Sequence, residues 1–328
     1  MNIRKNFKKM IVVVASLALL ISSLSGCSNP INNKEDSKKF KIIATIYPEY
    51  QWIKAIMGDQ AKNADITTLI TKGADLHSFQ PSAMDIIKIK KSDLFVYVGG
   101  ESDGWAKDLV KANKGLNSFN LLEELGSQAK EEEELEGMQE EKEHEEHSDD
   151  EIEYDEHVWL SLKCSATLCE KLEKKLEKMD PKNKNLYKKN LDAYLAKLNK
   201  LDKEYEETVS KAKNKTLLFG DRFPFKYLAD DYNIKCYAAF AGCSAESEAS
   251  FETITFLAKK VDESNLSNIM VIDNSDKKIA KTIISNTKKK NQGILTLNSM
   301  QSPNILDSST DYISIMEENL KVLKSALK

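Results

Sequence analysis

The 328-residue chain has only four histidines: His77, His144, His147 and His157. A neutral imidazole nitrogen is a ligand for zinc and other late first-row divalent ions, so their placement matters. His157 stands in YDEHVWLSL (154–162), between two carboxylates and an apolar run. His77 stands in GADLHSFQP (73–81), after a strand pattern and before Pro81, which opens the next helix. Both fall on loops at element ends, where α/β folds present binding residues. The chemistry on offer is capture of a divalent cation by two imidazoles, with carboxylate or water completing the shell.

The other two histidines lie in an acidic insert, residues 131–156, which holds sixteen acids and one lysine. Self-repulsion and the shortage of apolar residues predict a disordered loop over 128–153. Its EHEEHSDD stretch (143–150) either gathers cations weakly or only solvates the loop. The chain carries a net charge of −4; with −15 in the insert and +4 in the first nine residues, the remainder is +7. That body is mildly basic without a concentrated basic stripe, which speaks against a nucleic-acid partner. No HExxH or similar pair on one helix exists, so a zinc hydrolase with its three ligands and general base is disfavoured.

The chain begins with Arg4, Lys5, Lys8 and Lys9, then an apolar run from Met10 to Leu20, then Leu24-Ser25-Gly26-Cys27. A basic start, a short apolar core and small residues read as an export signal, too short to serve as a spanning helix. The Leu-Ser-Gly-Cys ending resembles a bacterial lipobox, which implies that Cys27 is acylated and tethers the protein outside the cytoplasmic membrane. Of the four remaining cysteines, Cys236 and Cys243 are placed to approach across a bend, although buried free thiols are the simpler expectation.

These residues need elements to position them. Short β-branched runs at 41–48, 65–70, 94–99, 216–221, 234–241, 268–273 and 293–299 alternate with amphipathic windows such as 82–91, 251–262 and 277–289. Alternation of this kind predicts α/β architecture with largely parallel sheets, three strands before the insert and four after residue 215. Between them, Asp180-Pro181 is a helix-start signal. No glycine or further proline interrupts 182–213, and Leu186, Leu191, Tyr194, Leu195, Leu198, Leu201 and Tyr205 recur at helical steps. The fold expected is two α/β lobes joined by one long connecting helix, with a metal cleft between them.

A lipobox, Gly-x-Asp-x-His-x-x-x-Pro, an acidic histidine-bearing loop ending in EHVWLS, and a linker helix together resemble the zinc/manganese solute-binding lipoproteins of bacterial ABC importers. The resemblance covers residues 40–327. It implies that His77 and His157 ligate metal, with Leu76, Glu156 and Leu162 standing where the family has prolines. It also implies a third histidine in the second lobe of zinc-type members. This chain has none there; Gly220 or Arg222 takes the place, depending on the side from which the turn is counted. The acid of manganese-type members corresponds to the turn Thr296-Leu297-Asn298-Ser299, an amide in place of a carboxylate. Asp221 is the first candidate to complete the site and Glu248 the second, with Asp273 and Glu246 also at strand ends. Arg222 is expected to pair with Asp221 or Glu248 beside the metal. The resemblance implies a non-enzymatic, monomeric metal carrier that hands Zn²⁺, or alternatively Mn²⁺, to a membrane permease; a surface adhesin on the same fold is the other alternative. The expected organisation is an export signal (1–26), a tether (27–40), a first lobe (41–180), the linker helix (181–213) and a second lobe (214–328).

Overall fold

The computed structural model describes residues 39–71, 74–139, 153–244, 248–301 and 310–327. Cys27, His144, His147, Gly73 and Glu246 lie outside them. The first sheet takes β1 (Phe40–Ala44), β2 (Ala64–Thr68), β3 (Leu94–Tyr97) and β4 (Ser118–Asn120) in the order β2-β1-β3-β4, all parallel. The second repeats the plan with β5 (Thr216–Phe223), β6 (Lys235–Ala241), β7 (Asn268–Ile272) and β8 (Gly293–Leu297), ordered β6-β5-β7-β8 and again parallel. Fully buried strands such as LFVY (β3) need no polar alternation, because parallel sheets are covered on both faces. In each sheet the strand order reverses beside the central strand, which opens a crevice at the carboxyl ends.

The strand expected over 41–48 stops at Ala44, and α1 (Tyr47–Met57) begins in its place. Glu49 is the cause: its fully buried carboxylate accepts from the backbone N–H of Thr45 at 2.7 Å and of Ile46 at 3.2 Å. Burial pushes its pKa up to about 8. Likewise β4 is a fourth strand where three were expected; at three residues it is too short to show a period.

Helices α2 (Ala83–Lys90), α3 (Gly104–Ala112) and α4 (Leu121–Leu125) complete the first lobe, and α5 (Leu162–Met179) follows the insert. The connecting helix is a 3-10 turn at Pro181–Asn183 followed by α6 (Lys184–Ser210), roughly 40 Å long at 1.5 Å per residue. Its buried stripe is Tyr187, Leu191, Tyr194, Leu198, Leu201, Tyr205 and Val209, with Tyr187 taking the place expected for Leu186. In the second lobe, α7 (Lys226–Tyr232), α8 (Phe251–Glu263) and α9 (Lys278–Asn286) cover the sheet. The last helix, α10 (Tyr312–Ala326), packs on α6, β8 and α1, so the C-terminus returns to the first lobe.

The lobes share one apolar core that runs through Ile42, Trp52, Trp159, Leu198, Phe219, Met270 and Tyr312. Directed bonds reinforce it. Trp159 Nε1 donates to the Ser299 carbonyl at 2.8 Å, and the Tyr312 hydroxyl donates to the Trp159 carbonyl at 2.7 Å. The Tyr227 hydroxyl donates to the Asp155 carbonyl at 2.9 Å. A common core of this kind resists wide hinge opening, because opening would expose it to water.

Residues 128–139 correct the expectation of a wholly disordered loop. Glu131 bridges Tyr154, the Gln139 N–H donates to the Ala239 carbonyl at 2.9 Å, and Lys226 meets Glu133 at 2.7 Å. Lys226 and Lys260 of the second lobe, paired with Glu133 and Glu136, hold the acidic strand down; 140–152 lie outside the described residues. Cys164, Cys169, Cys236 and Cys243 are all free thiols.

Trp159 is fully buried and ties the loop after β8 to the histidine loop. Its replacement by alanine is expected to destabilise the protein by about 3–5 kcal/mol. Tyr312→Phe, which removes one buried hydroxyl, is expected to cost about 1–3 kcal/mol. Urea unfolding followed by tryptophan fluorescence and circular dichroism checks both; equal, negligible losses would show that the lobes are not joined through this contact.

Candidate metal centre

Two loops of the same design carry the histidines. In each, an aspartate two residues ahead accepts the histidine's backbone N–H: Asp75 for His77 at 3.0 Å, and Asp155 for His157 at 2.8 Å. This local bond offers the backbone an alternative to regular structure and turns it into a short 3-10 segment. Those segments are Leu76–Ser78 and Val158–Leu160, and Leu76, Val158, Trp159 and Leu160 anchor them in the core. His157 is fully buried and the His77 side chain is 7% exposed.

Each ring is then held from behind. His157 Nδ1 lies 3.1 Å from Asp155 Oδ1. His77 Nδ1 lies 2.5 Å from Ser102 Oγ and 3.0 Å from Glu156 Oε1, and Ser102 Oγ itself donates to Glu156. Carboxylates accept, so the ring protons sit on Nδ1 and leave the Nε2 atoms with bare lone pairs. Those two Nε2 atoms face each other at 3.3 Å. Tight backbone makes room for this. A Cβ on Gly100 would meet Glu156 Oε2 at 2.2 Å, and one on Gly242 would meet His157 Cε1 at 2.8 Å.

Among the described residues, the donor atoms of His77, Glu156, His157 and Cys243 all lie within 4.8 Å of one another. They do not play equal parts. Glu156 Oε1 is already met by His77 Nδ1, by Ser102 Oγ and by Cys243 Sγ, the last at 3.4 Å. A carboxylate oxygen so engaged orients its neighbours rather than offering itself to an ion. Burial opposes ionisation of Glu156, but the hydrogen bond from His77 and the charges of His77 and His157 outweigh it and hold its pKa down to about 2. Burial likewise opposes charge on His157, yet Asp155, with Glu156 and Glu132 behind it, raises its pKa above the ordinary imidazole value. Burial pushes the Cys243 thiol up, so without a metal it stays protonated.

The second lobe differs from what the sequence led us to expect. Asp221 and Glu248 both fall outside the histidine group. Asp221 Oδ1 accepts from the N–H of Arg222 at 2.9 Å and the side chain lines a separate cavity, while Glu248 is exposed and acts on Lys278. Asp221 lies within β5, two residues before its end, and Glu248 stands seven residues past β6, just ahead of α8, so neither carboxylate joins the rings. Gly220 packs against Ala280 of α9, where a Cβ would come within 2.6 Å of backbone. Arg222 pairs across the cleft with Asp75 at 2.7 Å, instead of with Asp221 or Glu248. Asp273 is bound to the N–H and hydroxyl of Ser299 at 2.6 and 2.8 Å.

Among the described residues, this lobe reaches the histidines with Cys243, already placed in the donor group, and with Gln301, three positions beyond Asn298. The Gln301 amide nitrogen lies 2.5 Å from His77 Nε2 and 2.6 Å from His157 Nε2, and the residue is 1% exposed. Sequence reasoning passed over Gln301, Ser102, Glu156 and Cys243 as site residues. Ser102 and Gln301 follow β3 and β8 at carboxyl ends, which was the available signal.

A raised imidazole pKa lets the proton hold the ligand nitrogen at a higher pH than in a free histidine. Metal affinity is therefore expected to fall on acidification beginning above pH 6.5, by about tenfold per pH unit once His157 takes its proton. Competition titrations between about pH 8 and about pH 5.5 check this; a flat affinity across that range contradicts the role given to His157.

The chain matches the family model described as zinc-uptake complex component A, periplasmic (ZnuA), over residues 42–326. It is 33% identical over 97% of its length to the zinc-binding lipoprotein AdcA of Streptococcus pneumoniae strain R6, of which it spans 60%. It is 32% identical to the high-affinity zinc uptake system protein ZnuA of Bacillus subtilis strain 168, with 98% of each chain covered. Among solved structures, the Zn(II)-bound ZnuA-like domain of S. pneumoniae AdcA matches with a TM-score of 0.68 at 28% identity, over 88% of this chain and 99% of that one. The laminin-binding protein Lmb of Streptococcus agalactiae, described as having adhesin and metal-transporting activity, matches with a TM-score of 0.71 at 27% identity over 88% and 100%. With two parallel-sheet lobes, a long connecting helix and a histidine pair between them, the chain belongs to the ZnuA family of zinc-uptake solute-binding components.

Proposed function

We propose that this protein captures a divalent metal, Zn²⁺, between its lobes outside the cytoplasmic membrane and delivers it to the permease of an ABC importer. One observation carries the reading: two imidazole Nε2 atoms, stripped of protons by the groups behind them, confront each other at 3.3 Å. A tetrahedral ion with bonds of about 2.0–2.1 Å to each nitrogen spaces its ligands by about 3.3–3.4 Å. The gap fits zinc, with His77 and His157 as the two ligands from the first lobe. Imidazole nitrogens favour zinc over manganese, which prefers carboxylate and water. The names of the pneumococcal and Bacillus relatives support the same cargo.

The metal is cargo, so the protein's task is to hold and release it, and no covalent step is assigned. Asp155 and Glu156 supply negative charge one layer behind the rings, which offsets the ion's charge without binding it directly. Lipid attachment at Cys27 would keep the loaded protein beside its permease, and the monomer is the form proposed to dock there.

His77→Ala and His157→Ala are each expected to weaken zinc binding by more than the roughly 10–100-fold typical of losing an outer-shell partner. Asp221→Ala is expected to weaken it by no more than the roughly 10–100-fold of an outer-shell partner, and Glu248→Ala to change it less than about threefold. Competition against a chromophoric chelator, with zinc and manganese side by side, measures all four. Loss of binding on Asp221→Ala with retention on His77→Ala would overturn the assignment.

A further inference from the structure

The Gln301 amide nitrogen lies against both imidazole Nε2 atoms. It is closer to both than the about 2.7–3.2 Å usual for an N–H donor, as expected of a group filling an ion-sized gap. The orientation follows from chemistry. With both Nε2 atoms carrying lone pairs, an amide oxygen there would set three acceptors against one another, whereas an NH₂ group gives each nitrogen a hydrogen. The same orientation leaves Gln301 Oε1 buried with no hydrogen-bond partner. Buried acceptors in that state are rare and call for an explanation.

The far side of Gln301 supplies one. There a cavity of about 480 Å³ is lined by Gln301, Ser299, Asp221, Asp273, Asp75 and Arg222. Asp221 Oδ2 is also buried without a donor. The backbone leading into Gln301 is held: Ser299 is gripped by Asp273 and by Trp159, and the Gln301 N–H donates to Ser299 Oγ at 3.4 Å.

We infer that the Gln301 carboxamide is a built-in occupant of the metal position, which turns over to admit the cargo. In the metal-free protein its NH₂ bridges His77 and His157. On capture it rotates so that Oε1 faces the ion and the NH₂ enters the acidic cavity, whose unpaired acceptor, Asp221 Oδ2, has no donor otherwise. Turning back puts two N–H donors where the ion was, which favours release. The inference rests on the metal-carrier reading, and it gives that site a two-state gate without a lobe hinge.

The test uses the purified protein with ¹⁵N-labelled glutamine and histidine side chains. Without metal, the expected result is hydrogen-bond couplings from one glutamine NH₂ to two imidazole Nε2 nuclei, slow exchange of those amide protons, and loss of both features in Gln301→Met. Adding one equivalent of zinc is expected to abolish the couplings and move the same amide resonances. Gln301→Glu, always an acceptor, is expected to bind zinc at least about tenfold tighter and release it correspondingly more slowly, a loss of gating comparable to outer-shell effects. Circular dichroism confirms that both variants fold. Absence of the couplings in the metal-free protein overturns the occupant and leaves the zinc titrations untouched. Couplings that persist unchanged with zinc present overturn the turning and the carrier reading together.

Discussion

Two lone pairs pointed at each other in a dry interior set the terms for the rest of this molecule. His77 and His157 Nε2 stand 3.3 Å apart, and His157 is fully buried. Such a pair is unfavourable unless a cation or a pair of hydrogen donors lies between. The arrangement survives because each ring is fastened at its other nitrogen, by Asp155 on one side and by Ser102 with Glu156 on the other. Those groups are fastened in turn. Glu156 Oε2 accepts the Ser102 N–H at 3.2 Å, and the glycine at 100 lets the backbone lie against it.

The fold supplies this geometry at the one place where parallel sheets offer it. Both sheets send their carboxyl ends toward the cleft, so each loop that enters it begins from a buried strand of fixed position. The shared core, the Trp159–Ser299 bond and the Asp75–Arg222 pair hold the two sets of loops in register. With so continuous a core, side-chain rearrangement at the site costs less than lobe motion, because side-chain rotation exposes no apolar surface. Arg222 also finds its reason here. Paired with Asp75, it neutralises the acid that shapes the His77 turn instead of opposing the ion.

Much of the fold was legible because its signals are local. Alternating strand and helix patterns, Asp180-Pro181 and the uninterrupted stripe of α6 follow from backbone geometry and from period. The histidines were legible because four in 328 residues leave few choices. What escaped reading depends on distance in space. Asp221 has the right residue type at the right strand end, yet its side chain belongs to the neighbouring cavity. Gln301 is a neutral amide, a type with little signal as a ligand, and only the folded chain brings it 224 residues along to His77. Glu156 reads as one more acid in an acidic run until burial separates it from the rest.

In the proposed site the ion is held by two imidazole nitrogens, with Glu156 and Cys243 kept behind them. X-ray absorption at the zinc edge, on the protein loaded with one equivalent of zinc, reads that shell directly. The expected result is nitrogen and oxygen neighbours at about 2.0–2.1 Å with the outer-shell scattering of two imidazoles and no sulfur. A sulfur neighbour at about 2.3 Å would place Cys243 on the metal, and a shell without imidazole scattering would remove the histidines from it; either contradicts the site as described.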